Sequence, residues 1–294
     1  MLGHEAAGEV VELGAGVRDL VAGDHVVTAF VPSCGHCAPC RDARPALCEP
    51  GFASNSAGTL LSGARRLQHA GTPLNHHLGV SCFADYAVMA RESLVRIDRS
   101  VSFAQAAVFG CAVMTGTGAV LNTAALPRGA SVAVLGLGGV GLAALLGARL
   151  REARDLGATR CYNAADPDVV AKVREDSQGG LEYTFEMAGS VRALETAWQI
   201  TRRGGTTVTA GLSNPDAKFT VGHLGIVAEE RTLKGSYLGS CVPSRDIPLY
   251  IQYFQQGKLP VDRLLAERLP LTDINAGFDR LASGETVRQI IEMP

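Results

Sequence analysis

The stretch Ser131-Val-Ala-Val-Leu-Gly-Leu-Gly-Gly-Val-Gly141 carries the strongest indication of the fold. After Ser131 it opens with a short apolar run, as expected of a strand that is buried on both faces of a parallel sheet. The pattern G-x-G-x-x-G follows at Gly136, Gly138 and Gly141, and the apolar run Leu142–Leu150 comes directly after it. The stretch therefore predicts a strand, a tight turn and a helix.

Between a strand and a helix, this glycine pattern indicates a dinucleotide-binding turn. Gly136 would make the tight turn, Gly138 would let the backbone approach a pyrophosphate, and Gly141 would let the helix pack closely on the strand. The N-terminus of the helix would then face the phosphates. The alternative is a glycine-rich turn that holds no ligand.

The remainder of the chain reads as an α/β protein. Between Ser131 and Ala210 helical and strand-like runs alternate, which predicts a doubly wound parallel sheet. Residues 1–100 instead read as short strands separated by turns. The predicted strands are Glu9–Glu12, His25–Phe30, Phe83–Ala90, Leu94–Ile97, Ser131–Leu135, Tyr183–Glu186, Thr206–Ala210, Leu264–Pro270 and Val287–Met293, and the predicted helices are Phe103–Phe109, Thr115–Leu121, Leu142–Leu150, Val191–Thr201 and residues 246–257.

One expected part of a dinucleotide-binding unit is missing from the sequence. An acidic residue that binds the ribose should end a second strand about 20 residues after the glycine pattern. Here the helical run continues from Leu150 into Arg151-Glu-Ala-Arg-Asp-Leu-Gly157 with no strand-like run between. Asp155 stands at a suitable distance but in a helical context, and we interpret it as a solvated helix residue.

Four of the eight cysteines, Cys34, Cys37, Cys40 and Cys48, follow the spacing C-x2-C-x2-C-x7-C. Four thiolates so close in sequence can surround one tetrahedral zinc ion and leave no position open for a substrate, so we predict a structural zinc site. Disulfides, inert buried thiols and an iron–sulfur cluster are the alternatives. His36 is interpreted as a loop residue and the four scattered cysteines as small buried hydrophobes.

Size and charge exclude several classes of protein. The 294 residues suggest two domains, and the net charge of −2, from 27 basic and 29 acidic residues, argues against nucleic-acid binding. We expect no membrane span because no apolar run of about 18 residues occurs. Because no secretory leader is recognisable, we expect a cytoplasmic protein.

The order of the motifs resembles that of the zinc-containing alcohol dehydrogenases of the medium-chain dehydrogenase/reductase family. The resemblance covers essentially the whole chain. Its marks are Gly3-His4-Glu5, the turns at Gly14, Gly16 and Gly23-Asp24, the four-cysteine loop, Phe83-Ala-Asp-Tyr86, Gly110-Cys111-Ala-Val-Met-Thr-Gly116, the glycine-rich turn, Lys234-Gly-Ser236 and Gly284-Glu-Thr-Val-Arg-Gln-Ile290.

The resemblance implies a Rossmann domain joined to a GroES-like, mainly β catalytic domain. It places the GroES-like domain at residues 1–111, the Rossmann domain at 112–237 and a return to the catalytic domain at 238–294. It implies a zinc-dependent hydride transfer between an alcohol or aldehyde and NAD(H), a second, catalytic zinc, and a homodimer or homotetramer.

The resemblance also assigns roles to individual residues. His4 and Cys111 match two ligands of the catalytic zinc, Glu5 matches the nearby carboxylate, and Thr115 matches a position beside the nicotinamide. By themselves, His4 and Cys111 would not stand out. The implied cofactor-binding residues are Gly136, Gly138, Gly139, Val140, Gly141, Ala210, Leu212, Ser236, Leu238 and Arg288, the last as a ligand of the pyrophosphate.

The chain departs from the family pattern at two places. It begins at the Gly-His-Glu motif, before which the family has a further zinc cysteine and a proton relay. Near Leu150–Arg151 it lacks the second Rossmann strand. We therefore expect little alcohol oxidation, weak NAD binding and low solubility, so the alternative is a catalytically impaired, zinc-stabilised remnant. A zinc-independent reductase and a zinc-ribbon nucleic-acid binder are further rivals.

Overall fold

The computed structural model describes residues 1–151 and 159–294, which form two compact units. The first comprises Met1–Met114 and Cys241–Pro294, and the second comprises Thr115–Ser240. The first is called the metal unit below and the second the nucleotide unit. The corresponding divisions predicted from the sequence lie at 111/112 and 237/238. Asp155, interpreted above as a solvated helix residue, lies outside the described residues.

The first segment of the metal unit is built from short elements. Strands β1, β2 and β5 form a three-stranded antiparallel sheet with β2 at its centre, and β3 and β4 form a separate antiparallel pair. Helix α2 ends at Gly58, whose φ of 66° gives the left-handed cap that glycine favours. The elements are β1 (Ala7–Glu9), β2 (His25–Thr28), α1 (Ala38–Arg41), α2 (Glu49–Ala57), β3 (Leu67–His69), β4 (Thr72–Leu74), β5 (Leu94–Arg96) and α3 (Phe103–Ala107).

The nucleotide unit contains a four-stranded parallel sheet in the order β6-β7-β8-β9. A π-helical segment, Ala119–Thr123, extends α4, which itself spans the division between the units. The elements are α4 (Ala112–Gly118), β6 (Val132–Leu135), α5 (Gly139–Arg151), α6 (Val169–Asp176), β7 (Leu181–Glu186), α7 (Val191–Ile200), β8 (Thr201–Thr209), α8 (His223–Glu229) and β9 (Thr232–Gly235).

Helices cover both faces of this parallel sheet, as the sequence predicts. On one face the buried Phe185 and Val208 pack with Ala144 of α5. On the other face Val173 of α6 and Ile200 of α7 pack against alternate residues of the strands. Side chains of successive strand residues point to opposite faces, so each strand needs apolar residues on both. The doubly wound class is therefore confirmed.

The last segment returns to the metal unit. It contains α9 (Pro243–Gln255), β10 (Glu267–Pro270), α10 (Ile274–Ser283) and β11 (Gln289–Glu292), with β10 and β11 paired in parallel. Helix α10 ends at Gly284, whose φ of 78° again provides a left-handed cap. The predicted helix at residues 246–257 and both predicted C-terminal strands are confirmed within a few residues.

Two predicted strands are wrong in place or in kind. Strand β1 covers Ala7–Glu9 rather than Glu9–Glu12, because Ala7 and Gly8 pair with β2 although neither residue favours strands. The segment Phe83–Ala90 contains no strand. Its aromatic and aliphatic residues suggest a strand, but Tyr86 is 77% exposed and Val88 is 52% exposed.

Among the described residues no single helix is both long and apolar enough to cross a membrane. The consecutive helices Phe103–Gly110 and Ala112–Thr123 reach that length only when taken together, across a bend of 52°.

Candidate active site and metal centres

The glycine-rich turn joins β6 to α5 in the nucleotide unit. Gly136 has a φ of 94°, and a Cβ atom built there would lie 2.8 Å from the backbone nitrogen of Ala188. A Cβ at Gly141 would lie 1.8 Å from the carbonyl oxygen of Gly136. These two glycines are therefore required by the fold itself.

Gly138 differs from the two structural glycines. Nothing lies within 4 Å of a Cβ atom built there, and its φ is outside the left-handed region. Its carbonyl accepts from Leu142 N at 2.9 Å, which starts the helical hydrogen bonding of α5, and Gly139 and Val140 form the first turn. Open space at Gly138 leaves the backbone accessible beside the N–H groups that the start of a helix leaves unpaired.

The residues predicted to face the nicotinamide follow the ends of β8 and β9. Ala210 N donates to the Glu186 carbonyl at 3.0 Å, and Leu212 is 80% exposed. Ser236 N donates to the Thr209 carbonyl at 2.9 Å. Leu238 as a whole residue is only 2% exposed, so its contact with a nicotinamide stays a prediction. These residues thus lie at the carboxyl ends of the strands, where open α/β sheets bind ligands.

Thr115, the remaining predicted residue of this unit, lies in α4. This residue is 7% exposed. Its contact with a nicotinamide stays a prediction.

Sequence reasoning missed Glu186, the last residue of β7. The residue is 1% exposed, and its side-chain Oε1 accepts from Ala188 N at 2.8 Å and from Gly189 N at 2.7 Å. Oε2 accepts from the Thr209 hydroxyl at 2.7 Å. An acidic residue at the end of an otherwise buried strand, followed by Met-Ala-Gly-Ser, is the signal that could have identified it.

The adjacent residues His4 and Glu5 come together in the metal unit with Cys111, which is far from them in sequence. One ligand atom of each lies within 4.8 Å of the others, and all three residues are partly buried. Gly3 has a φ of 95°, and a Cβ atom there would lie 2.7 Å from Cys82 Sγ, so the bend that brings His4 to this place needs glycine. A nitrogen, a sulfur and a carboxylate at this spacing suit a zinc ion.

The surroundings of His4 favour its neutral imidazole. Its ring packs edge-on against Phe30, with centroids 5.3 Å apart, and against His77, with centroids 5.6 Å apart. Burial lowers the pKa of His4, and this effect outweighs the opposite influence of the Glu5 carboxylate. A neutral imidazole is the form that binds a metal.

Both oxygens of Glu5 are engaged. Oε1 accepts from Ala112 N at 2.7 Å, directly beside Cys111, and Oε2 accepts from the Arg288 guanidinium at 2.7 Å. The two side chains are only 15% and 27% exposed, so the ion pair is partly shielded from water. The structure therefore places Arg288 beside the group formed by His4, Glu5 and Cys111, called the His4 cluster below, and the binding of Arg288 to a pyrophosphate stays a prediction.

Cys82 lies near this cluster without joining it. Its thiol donates to the Glu5 carbonyl at 3.4 Å, and burial raises its pKa to about 12. The ligand atoms that lie within 4.8 Å of one another are those of His4, Glu5 and Cys111, and Cys82 does not belong to this group. Of the two cysteines near His4, Cys111 is thus the better placed ligand.

The four clustered cysteines surround a common point. Their sulfur atoms all lie within 4.8 Å of one another, and Cys37 Sγ and Cys48 Sγ are 3.9 Å apart. Tetrahedral zinc with Zn–S bonds of about 2.3 Å requires sulfur–sulfur separations of about 3.8 Å. The described cysteines are all free thiols, so the disulfide alternative is not what the structure adopts.

Backbone N–H groups of this loop donate to the cysteine sulfur atoms and so favour negative charge on them. Cys48 Sγ accepts from Cys34 N at 3.2 Å and from Gly51 N at 3.4 Å. Burial by itself would raise the pKa of Cys34, but hydrogen bonds from the backbone of His36 and Cys37 bring it to about 7. Burial raises the pKa of Cys40 to about 12. A dication would stabilise the thiolates that the protein alone leaves protonated.

A nucleotide-type turn in one unit and two sets of candidate zinc ligands in the other are together typical of zinc-dependent dehydrogenases. Two family models match this chain. The model of the alcohol dehydrogenase GroES-like domain matches residues 1–99, and the model of the zinc-binding dehydrogenases matches residues 129–256.

Relatives extend the comparison over the whole chain. Alcohol dehydrogenase 1 of Oryza sativa subsp. indica is 33% identical over 313 residues, which span 100% of this chain and 82% of that protein. The chain therefore belongs to the zinc-containing alcohol dehydrogenase family. The aligned span exceeds the 294 residues of this chain, so the rice enzyme has residues within it that this chain lacks.

Solved structures agree with this membership. A zinc-binding alcohol dehydrogenase domain protein from Burkholderia ambifaria is 33% identical with a TM-score of 0.93, covering 100% of this chain and 84% of that one. Benzyl alcohol dehydrogenase from Acinetobacter calcoaceticus is 29% identical with a TM-score of 0.91, at the same coverage. The predicted combination of a Rossmann domain and a GroES-like domain is confirmed.

Proposed function

We propose that this protein transfers hydride between a small primary alcohol, or its aldehyde, and NAD(H) with the help of zinc. The observation that carries the proposal is the convergence of His4, Glu5 and Cys111, whose ligand atoms lie within 4.8 Å of one another. The names of the relatives, alcohol dehydrogenase and benzyl alcohol dehydrogenase, support an alcohol as substrate.

His4 and Cys111 are proposed to hold the catalytic zinc, and Cys34, Cys37, Cys40 and Cys48 a structural zinc. The catalytic ion supplies Lewis acidity toward an alcohol or carbonyl oxygen. The packing of His4 against Phe30 and His77 fixes the orientation of the imidazole. Glu5 orients the backbone N–H next to Cys111 and offers a carboxylate within reach of the same point.

The nucleotide unit is proposed to bind the cofactor along the carboxyl ends of its strands. NAD supplies the hydride chemistry, while the protein positions the nicotinamide. The turn Gly136–Gly141 would receive the pyrophosphate at the start of α5, and the backbone at Ala210, Leu212, Ser236 and Leu238 would border the nicotinamide, with Thr115 beside it. Arg288 is proposed to contact the pyrophosphate when it is not paired with Glu5.

We propose a homodimer, or a tetramer built from dimers, that forms along β9. This strand is the last of the sheet among the described residues, and all four of its residues are exposed. Leu224 and Val227 of the neighbouring helix α8 are 77% and 62% exposed. An open strand edge beside apolar residues favours pairing with another chain. Light scattering of the purified protein tests this assembly.

The protein is also proposed to lie in the cytoplasm, and cell fractionation tests this location.

A catalytically impaired relative is the second candidate. It is favoured by the position of β6, which has only β7 as a partner in the described part of the chain. In the full doubly wound order, the strand that carries the glycine-rich turn has a neighbour on each side. An impaired relative would bind NAD weakly and turn over slowly, while keeping its structural zinc.

Metal analysis and steady-state kinetics on the same sample distinguish the two candidates. The active enzyme should contain two zinc ions per chain and reduce NAD with ethanol or benzyl alcohol, and 1,10-phenanthroline should abolish the activity. One zinc per chain, together with no NADH formation from either alcohol, would instead establish the impaired relative.

A further inference from the structure

The buried carboxylate of Glu186 joins two turns of the nucleotide unit. Oε1 accepts from three successive backbone N–H groups, those of Ala188, Gly189 and Ser190, at 2.8, 2.7 and 3.3 Å. Oε2 accepts from the Thr209 hydroxyl at 2.7 Å. One side chain thus holds the turn after β7 and the end of β8 at the same time.

All four partners of this side chain are donors. A carboxylate has two acceptor oxygens and suits such a site, whereas an amide would place a donor against one set of donors. The carbonyl of Glu186 also accepts from Ala210 N at 3.0 Å. With 1% of its surface exposed, Glu186 cannot itself reach a ligand and must act through the residues it holds.

These residues touch the glycine-rich turn directly. A Cβ atom at Gly136 would lie 2.8 Å from Ala188 N and 2.9 Å from Ala188 Cβ, so the two turns are in close contact. A Cβ at Gly211 would lie 2.0 Å from Gly189 N. The turns that follow β6, β7 and β8 therefore form one packed layer, and Glu186 lies beneath it.

We propose that Glu186 is a positioning residue for the nicotinamide cofactor. It fixes the turn 187–190 and, through Thr209 and Ala210, the segment that leads to Leu212. The inference deepens the proposed function and rests on it, because the layer is where the proposal places NAD. Without the carboxylate the turn would relax away from Gly136, and the affinity for NADH would fall while the metal unit kept its zinc.

The test is titration of NADH into the full chain, followed by fluorescence, for Glu186→Ala and Glu186→Gln. Glu182→Ala is the matched control, since Glu182 lies on the same strand and accepts from Ser131 N and Arg202. We expect Glu186→Ala to raise the Kd for NADH roughly tenfold at unchanged stoichiometry, a change that corresponds to the free energy of about one hydrogen bond. Glu182→Ala should leave the Kd for NADH unchanged. Glu186→Gln should fall between the two, because its amide keeps one acceptor.

The number of NADH molecules bound per chain distinguishes a residue that positions the cofactor from one that only supports folding. A purely structural residue would lower the number of binding-competent molecules and leave their Kd unchanged, and this result would overturn the inference. If Glu186→Ala does not fold, Glu186→Gln and Thr209→Val provide the same measurement, and an unchanged Kd in both would overturn it equally. If the unsubstituted chain binds no NADH, the proposed function fails and the inference fails with it.

Discussion

Replacing Gly138 by valine tests the nucleotide-binding turn more sharply than any other single change. A Cβ atom at Gly138 meets nothing within 4 Å, and its φ suits any residue. The substitution should therefore leave the free energy of unfolding within about 0.5 kcal/mol of its original value. At this position the fold tolerates a side chain, whereas binding of the proposed pyrophosphate requires that there be none.

The cost to cofactor binding follows from what the side chain would block. The proposed pyrophosphate approaches the backbone at Gly138 and the start of α5, where a valine side chain would hold it away. Losing one hydrogen bond to a charged oxygen costs about 1.5–3 kcal/mol. The Kd for NADH should therefore rise roughly 10- to 150-fold.

Two further variants calibrate the measurement. Gly16→Val also places its side chain in open space, but in the metal unit, and should change neither stability nor NADH binding. Gly141→Val places Cβ 1.8 Å from the Gly136 carbonyl oxygen and should destabilise the unit outright. Thermal melts and NADH fluorescence titrations report both properties. Unchanged NADH affinity in a folded Gly138→Val protein would show that the turn does not bind the pyrophosphate.

Two substitutions and one labelling experiment address the cysteines. Cys40→Ser should remove about one zinc per chain and lower the melting temperature of this unit, and unchanged zinc in metal analysis would contradict the structural site. Cys111→Ser should remove the other zinc and the alcohol oxidation while leaving NADH binding intact, so retention of both zinc ions would be inconsistent with its role. Between pH 6 and 9, Cys82 should resist alkylation by iodoacetamide in the native protein, because its pKa of about 12 lies above this range and the group stays a thiol. The exposed Cys161 should react and serves as the control. Mass spectrometry that shows Cys82 alkylated at the rate of Cys161 would refute this expectation.

Features encoded by neighbouring residues were predictable from the sequence. The run Ser131–Gly141 and the four-cysteine loop each form from residues that are close in the chain, so composition and spacing suffice. The segment Phe83–Ala90 has the apolar composition of a strand, but a strand also needs a partner, and pairing is decided by distant residues. Its prediction was wrong for that reason.

The His4 cluster depends on contacts that no local pattern reveals. Glu5 and Ala112 are separated by 107 positions and Glu5 and Arg288 by 283. The resemblance to a family brought His4, Glu5 and Cys111 together in the prediction, but it did not indicate that Arg288 pairs with Glu5. Glu186 was missed even though its Oε1 partners lie two to four residues away, because an acidic residue at a strand end has many possible roles.

The ion pair between Glu5 and Arg288 has a consequence for the order in which the protein folds during synthesis. The nucleotide unit is one continuous stretch, so it can form while the ribosome is still extending the chain, whereas the metal unit must wait for its second segment. Until Arg288 leaves the exit tunnel, the Glu5 carboxylate lacks one of its two partners. Formation of the Glu5–Arg288 ion pair should thus be among the last events in biogenesis, and zinc that arrives earlier would meet a Glu5 carboxylate that Arg288 does not yet hold.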